Sequence, residues 1–329
     1  MIMEGTNKLS LIAKGMMMGV AEVIPGVSGG TIAFITGIYE RLLDAIKGVG
    51  PSLITQYKVD GVKGLWKAID GWFLVFLLIG MVIGIGVGAV LITYLLEHFP
   101  EPLWAFFFGL IIASGIYIGR KVSRWNLPAI GLMLLGGIVA YGITMISPAE
   151  GSTHPIMLIV AGAISVSAFI LPGVSGSFIL LLMGMYVIVV PTLKEFGSSP
   201  SFDEFKILAF FAIGMIIGLA IFSRVLSWTF KRYKNQTLAV LTGFMMGSLN
   251  KIWPWRNPQI LLDKSTNLIV TDDVIGFIQR SKDLEFKILK EQNVFPADYL
   301  MGESQPVLVI VLAILGFLSV FALSRFEKS

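Results

Sequence analysis

Pro25-Gly26-Val27-Ser28-Gly29-Gly30-Thr31 recurs 147 residues later as Pro172-Gly173-Val174-Ser175-Gly176-Ser177-Phe178, in equally apolar surroundings. Each copy joins a proline, which removes a helical hydrogen bond, to glycines that relax the backbone, so a helix entering the stretch has to stop there. Gly37 and Tyr39 keep the same offset from Gly184 and Tyr186. The duplicated unit is therefore longer than the heptad, and the chain reads as two related halves. A second offset, of 134 residues, pairs Gly80, Met81 and Gly84 with Gly214, Met215 and Gly218, and Gly109 and Ser114 with Gly243 and Ser248.

Composition says where those halves live. Hydrophobic residues make up 55% of the 329 positions and charged residues only 14%, with a mean hydropathy of +0.82, which marks an integral membrane protein. Cysteine is absent, which excludes disulfides, thiolate nucleophiles and sulfur-ligated metals. Two isolated histidines, His98 and His154, leave little imidazole chemistry, so neither a metal site nor a cofactor is expected. The net charge of +4 is modest, and the basic residues fall between apolar stretches, as orientation signals do, and not on a nucleic-acid surface. Lys14 interrupts the first apolar run and no small-residue cleavage site follows, so no signal peptide is expected.

Six stretches are long enough, or nearly so, to cross about 30 Å of hydrocarbon: Trp72–Leu96, Leu103–Gly119, Pro128–Ile146, Ile207–Phe230, Thr237–Trp253 and Pro306–Leu323. Two more apolar regions, Leu9–Ile46 and Pro155–Leu193, are interrupted by the heptads and leave arms of about fifteen residues, each reaching only about 22 Å. They read as re-entrant helical hairpins, with two full crossings apiece as the alternative. The expected organisation is all-α, with an inverted-topology repeat. Residues 1–127 form a first repeat (hairpin 9–46, spans 72–96 and 103–119) and 128–147 a linking helix. Residues 155–253 form a second repeat (hairpin 155–193, spans 207–230 and 237–253), followed by a polar segment at 254–305 and a final span at 306–324.

Loop charge sets the orientation. Arg41, Lys47, Lys58, Lys63 and Lys67, then Arg120, Lys121 and Arg124, then Lys231, Arg232 and Lys234, then Arg325 and Lys328 fall on one expected side, while the short loops near Pro100 and Glu150 carry no basic residue. By the positive-inside rule both termini are cytoplasmic, and the odd crossing between the halves inverts the second. The polar segment 254–305 then lies outside. Ile275, Ile278, Phe286 and Leu289 recur in it at roughly helical spacing and predict a short amphipathic helix on the surface, acting as a structural cap.

Chemistry concentrates at the two breaks. A broken hairpin aims helix-end amides and a partial positive charge into the membrane interior, and an anion is their natural occupant. Gly26, Gly29, Gly30, Gly173 and Gly176 let the backbone approach a ligand, while Ser28, Thr31, Ser175 and Ser177 offer hydroxyls to phosphate oxygens. The competing reading is that these residues only cap and pack the broken helices. Glu22 stands three residues before Pro25 where the second half has Phe169. A lone carboxylate beside one break is a candidate carrier of a coupling proton, or a simple acceptor for exposed amides. Arg224, about 10 Å deep at helical rise, either snorkels to the interface or contacts phosphate. Lys14, Glu40 and Arg41 read as interfacial anchors, and Met16–Met18 and Phe106–Phe108 as packing or lipid-facing residues.

The stretch Gly15–Ile46, GMMMGVAEVIPGVSGGTIAFITGIYERLLDAI, together with LPGVSGSF at Leu171–Phe178, closely resembles the PopT-type polyprenyl-phosphate translocases. The resemblance covers nearly the whole chain. It implies a multi-pass protein of the bacterial cytoplasmic membrane that returns undecaprenyl phosphate, the lipid carrier of cell-wall and surface-polysaccharide precursors, from the outer to the cytoplasmic leaflet. The partners so implied are the bilayer and the polyprenyl-phosphate lipid, with a homodimer left open. The family's breaks fall on Pro25–Thr31 and Pro172–Ser177, and its preceding acidic residue on Glu22. The sequence is also similar to undecaprenyl pyrophosphate phosphatases, whose Pro-Gly-x-Ser-Arg-Ser-Gly motif carries an arginine where Gly29 stands here, so hydrolysis is poorly supported. A transporter of inorganic anions or small solutes would use the same site and is the third reading.

Overall fold

The computed structural model describes residues 7–24, 27–50, 52–146, 149–263, 269–271, 274–280 and 286–324. Helix α1 (Lys8–Val23) begins where the Asn7 side chain accepts the Leu9 amide at 3.1 Å and ends at the first heptad. Beyond it come α2 (Gly29–Ile35), α3 (Tyr39–Gly48), α4 (Ser52–Ala68), α5 (Gly71–His98), α6 (Pro100–Arg120) and α7 (Leu127–Met145). The second series is α8 (Pro155–Ile170), α9 (Gly176–Leu182), α10 (Tyr186–Ser198), α11 (Phe202–Arg232) and α12 (Lys234–Ser248). Among the described residues five helical stretches are long and apolar enough to cross a membrane, and α9 and α10, bent through 111° at their break, form either a broken span or a re-entrant loop. The outward faces of the five carry exposed Val82, Val90, Ile138, Ile216 and Ile310, apolar surfaces of the kind that face a bilayer.

The arm that follows each heptad is shorter than the spacing predicts, because it breaks a second time. Gly37 and Gly184, with φ of 75° and 69°, end α2 and α9 after 7 residues each. A left-handed turn favours glycine there, which explains why Gly37 and Tyr39 recur at Gly184 and Tyr186. The stretch expected to span at Thr237–Trp253 is also divided: α12 runs 15 residues to Ser248 and a 3-10 turn carries the chain on to Ile252.

Close helix pairs form the frame. A Cβ on Gly15 would strike the Leu77 carbonyl, and one on Gly80 or Gly84 would strike Ile12 or Met16, so α1 lies backbone to backbone on α5. In the second series Gly214 and Gly218 meet Ile159 and Ala163 in the same way, placing α8 on α11. Small residues at such interfaces admit close van der Waals packing, which drives helix association in lipid. Gly109 and Gly316 lock α6 to the final helix α14 (Pro306–Leu323), and Gly136 and Gly243 lock α7 to α12.

The polar segment departs from expectation. Strands β1 (Arg256–Asp263), β2 (Ile269–Val270) and β3 (Phe286–Asn293) form an antiparallel sheet in the order β2-β1-β3, with α13 (Val274–Arg280) between β2 and β3. Ile275 and Ile278 are helical, as expected, but Phe286 and Leu289 belong to β3, which pairs with β1 in a register that sets Arg256 opposite Asn293 and Leu261 opposite Ile288. Ladder hydrogen bonding along β1 overrides the apparent helical period, and an irregularity between Pro258 and Ile260 accommodates the proline. The sheet is tied to the helices by the Trp253 indole, which donates to the Val294 carbonyl at 2.8 Å, and by the Tyr299 hydroxyl, which donates to Glu101. Burial, and then the Glu101 carboxylate, push the Tyr299 hydroxyl well above its ordinary range.

Candidate functional site

At the first break the Ser28 side chain caps α2 by accepting the Gly30 amide at 3.1 Å. The same hydroxyl donates to the Phe169 carbonyl at 3.2 Å, across 141 residues of sequence. Phe169 and Ile170 end α8, where the last carbonyls have no helical partner. Tyr39 serves the second of them, donating to the Ile170 carbonyl at 3.1 Å. In the other direction the Gly173 amide donates to the Thr31 hydroxyl at 3.2 Å. The two breaks therefore touch, and Ser28 and Thr31 are wholly buried between them.

Glu22 reaches forward from α1 and accepts the Gly29 amide at 2.5 Å. Its carboxylate thus holds the position at the start of α2 that an anionic ligand would take. Gly29 and Gly30 are buried, and a Cβ on Gly29 would come within 2.6 Å of Glu22 Oε1, while one on Gly30 would strike the Ile170 carbonyl. At the second break Gly173, with φ of 83°, leads to Ser175, which accepts the Phe178 amide at 3.3 Å and shares a hydrogen bond of 2.9 Å with Ser177. A Cβ on Gly176 would stand 2.5 Å from the Ser165 carbonyl. Pro25 and Gly26 lie outside the described residues.

Arg224 is placed elsewhere. Its guanidinium donates to the Ala220 carbonyl at 2.5 Å and to the Val49 carbonyl at 3.1 Å, tying α11 to the end of α3. Glu40 and Arg41 pair with Lys234 at 2.8 Å and Asp70 at 2.7 Å, whereas Lys14, expected at the interface, is only 3% exposed. Its place on α1, with Gly15 pressed against α5, turns it into the bundle instead of toward the surface.

Three side chains that the sequence did not mark as site residues, Thr144, Ser248 and Lys251, stand at the second break. With Gly173, Ser175 and Phe178 they line a small recess. Lys251 Nζ lies 5.1 Å from the centroid of the Phe178 ring. In sequence, Lys251 is one more basic residue at the end of an apolar stretch, and nothing in its spacing shows that it folds back on the break. Among the described residues no group of three or more His, Asp or Glu could hold a metal ion.

A family model described as undecaprenyl phosphate translocase-like matches residues 18–270, which takes in both heptads and Lys251. The chain belongs to this family. Among curated proteins it is similar to a polyprenyl-phosphate transporter of Vibrio cholerae, 42% identical over 308 residues and covering 93% of this chain and 94% of that one. It is also similar to a polyprenyl-phosphate transporter of Staphylococcus aureus, 31% identical over 282 residues and covering 81% and 93%. No solved structure matches the chain. Membership in the translocase-like family makes the chain a multi-pass membrane transporter and not a phosphatase, in keeping with a break where Gly29 takes the place of the phosphatase arginine.

Proposed function

We propose that the chain carries the headgroup of a polyprenyl phosphate across the membrane, from the outer to the cytoplasmic leaflet, by alternating access between two inverted halves. The observation that carries this reading is the meeting of the two breaks, with Ser28 and Thr31 of one bonded to the backbone of the other in the interior of the bundle. The barrier to lipid flipping is the phosphate, since its charge must cross hydrocarbon while the polyprenyl tail stays in lipid. Only the headgroup needs a protein path. Amides and hydroxyls of Ser28–Thr31 and Gly173–Ser177 supply it, exchanging their internal partners for phosphate oxygens as the halves move.

The inverted arrangement draws support from matched packing, α1 on α5 and α8 on α11, through glycines at corresponding positions. The hairpins α1–α3 and α8–α10 act as re-entrant elements opening inward and outward respectively. Loop charge favours a cytoplasmic-membrane protein with both termini inside. The linking helix α7 and the final helix α14 then fill like places, each locked by glycine to the closing helix of a repeat.

Glu22 is the proposed coupling residue. A cation carried with the phosphate lowers the charge moved through the membrane potential, worth about 2.3 kcal/mol per charge per 100 mV. A proteoliposome assay following the leaflet of a radiolabelled polyprenyl phosphate, with released phosphate measured in parallel, tests the whole reading. Protein-dependent translocation without phosphate release is expected. Translocation no faster than in protein-free vesicles would refute it, and release of small anions alone would favour the solute-transporter reading.

A further inference from the structure

The sheet after α12 looks like a cap, yet it holds a cation beside the second break in an unusual manner. Lys251 and Arg256 share one carboxylate, Glu291, and share it unequally. Arg256 takes Glu291 at 2.8 Å, while Lys251 stands 3.9 Å away. Arg256 is fixed further by the Trp104 ring, 4.4 Å from its guanidinium carbon, and by a 3.4 Å contact to the Lys251 carbonyl. Lys251 has no comparably short bond to Glu291, lies over the apolar face of Phe178 and lines the recess with Ser175, Ser248 and Thr144. One carboxylate cannot neutralise two cations, and the less tightly held of them faces the break.

We propose that Lys251 is the outward anchor for a phosphate monoester, swinging from Glu291 to the headgroup at the recess while Arg256 keeps Glu291 neutralised. This rests on the transport reading above and names the residue that first engages the substrate on the outer side. A lysine is suited to such a swing, because its ammonium is a compact charge on a flexible stem and can follow the headgroup toward Ser175 without breaking a planar, two-pronged pairing. Release of Lys251 does not leave the half-buried Glu291 carboxylate unpaired, because the shorter Arg256 bond remains. The sheet thereby gains a role in binding. It carries Glu291 on β3 and Arg256 on β1, the two groups that set where Lys251 rests.

The test uses the full chain in detergent with a radiolabelled short-chain polyprenyl monophosphate, and with inorganic phosphate and the matching polyprenol as competitors. Thermal melts of every variant accompany the binding curves. Lys251→Gln is expected to lose roughly tenfold or more in affinity, as for a hydrogen bond to a charged group, and Lys251→Arg to recover much of it. Glu291→Gln should tighten binding, since it removes the carboxylate that competes with the headgroup for the lysine. If Lys251→Gln does not fold, Lys251→Met, which preserves the stem over Phe178, carries the same comparison. Unchanged affinity in the folded Lys251→Gln variant overturns the proposal, as does an equal loss in Glu291→Gln, which would mark a structural ion pair. Displacement of the probe by inorganic phosphate as readily as by unlabelled probe would assign the site to free phosphate and overturn the lipid headgroup. Failure of the unaltered protein to bind the probe would instead overturn the transport reading and this inference with it, an outcome distinct from failure of the lysine alone.

Discussion

Replacing Ser28 by alanine and Tyr39 by phenylalanine tests whether the first hairpin fastens the end of α8. Ser28 is wholly buried and makes two bonds, accepting from Gly30 at 3.1 Å and donating to Phe169 at 3.2 Å. Loss of a serine cap costs about 1 kcal/mol, and leaving the Phe169 carbonyl unpaired adds about 1–3 kcal/mol, so Ser28→Ala should lose about 2–4 kcal/mol. Tyr39→Phe leaves the ring beside Phe34 and Phe230, at centroid distances of 5.4 and 5.7 Å, and removes only the bond to Ile170. It should lose about 1–3 kcal/mol. Phe169 and Ile170 are successive carbonyls at one helix end, so both hydroxyls steady the same stretch of backbone and their losses should interact by about 0.5 kcal/mol or more. Unfolding of the purified single and double variants by titration with a denaturing detergent, followed by tryptophan fluorescence, gives all four corners of the cycle. Unchanged stability in both single variants would refute the cross-break contact, and strictly additive losses would refute the shared anchoring.

Three further outcomes are expected. Glu22→Gln keeps an oxygen that can accept the Gly29 amide, so the protein should remain folded while the pH dependence of transport flattens; an unchanged pH profile would remove Glu22 from coupling. Glu303→Cys, at an exposed position in a chain without native cysteine, should react with an impermeant thiol reagent on intact cells. Reaction only after lysis would reverse the orientation. Tyr299 is held above its ordinary value of 10.0, so its share of stability is complete below about pH 10 and is lost as pH rises past that point. Melting temperature should therefore fall above pH 10 in the unaltered protein and less steeply in Tyr299→Phe, and identical alkaline slopes would count against the bond to Glu101.

The helical membrane part was legible because its signals are one-dimensional. Long apolar runs mark spans, and a repeated Pro-Gly heptad marks breaks, whatever lies around them. The second break in each returning arm was present in the letters as the Gly37 and Gly184 match, but a glycine reveals φ only once the chain is built. The sheet was hidden for a different reason. Ile275 and Ile278 are truly helical, and the period appears to run on into Phe286 and Leu289, where pairing with a distant strand, β1, decides the structure. Neither the burial of Lys14 nor the place of Lys251 at the recess is legible in the sequence, because depth along a helix does not report which face a lysine turns. The sequence offers Ser28 and Thr31 as hydroxyl donors for phosphate but not their bonds to the backbone at the second break, which only the folded chain shows.

The two breaks are alike in sequence and unlike in occupancy, and on the proposed mechanism that difference supplies the coupling. At the first, Glu22 already occupies the amide of Gly29. At the second, the equivalent position is Phe169, whose backbone carbonyl is engaged by Ser28, and the adjoining recess presents a lysine. A phosphate drawn in by Lys251 leaves behind Glu291, whose charge Arg256 offsets, and at the first break it meets Glu22, where two anions cannot share one amide at close range in a medium of low dielectric. One of them has to be neutralised or leave. A proton taken up by Glu22 frees the Gly29 amide for phosphate, and its loss on the far side restores the carboxylate and expels the headgroup. Phosphate passage and proton passage are then linked through competition for a single N–H, which requires that the carboxylate stand at one break only.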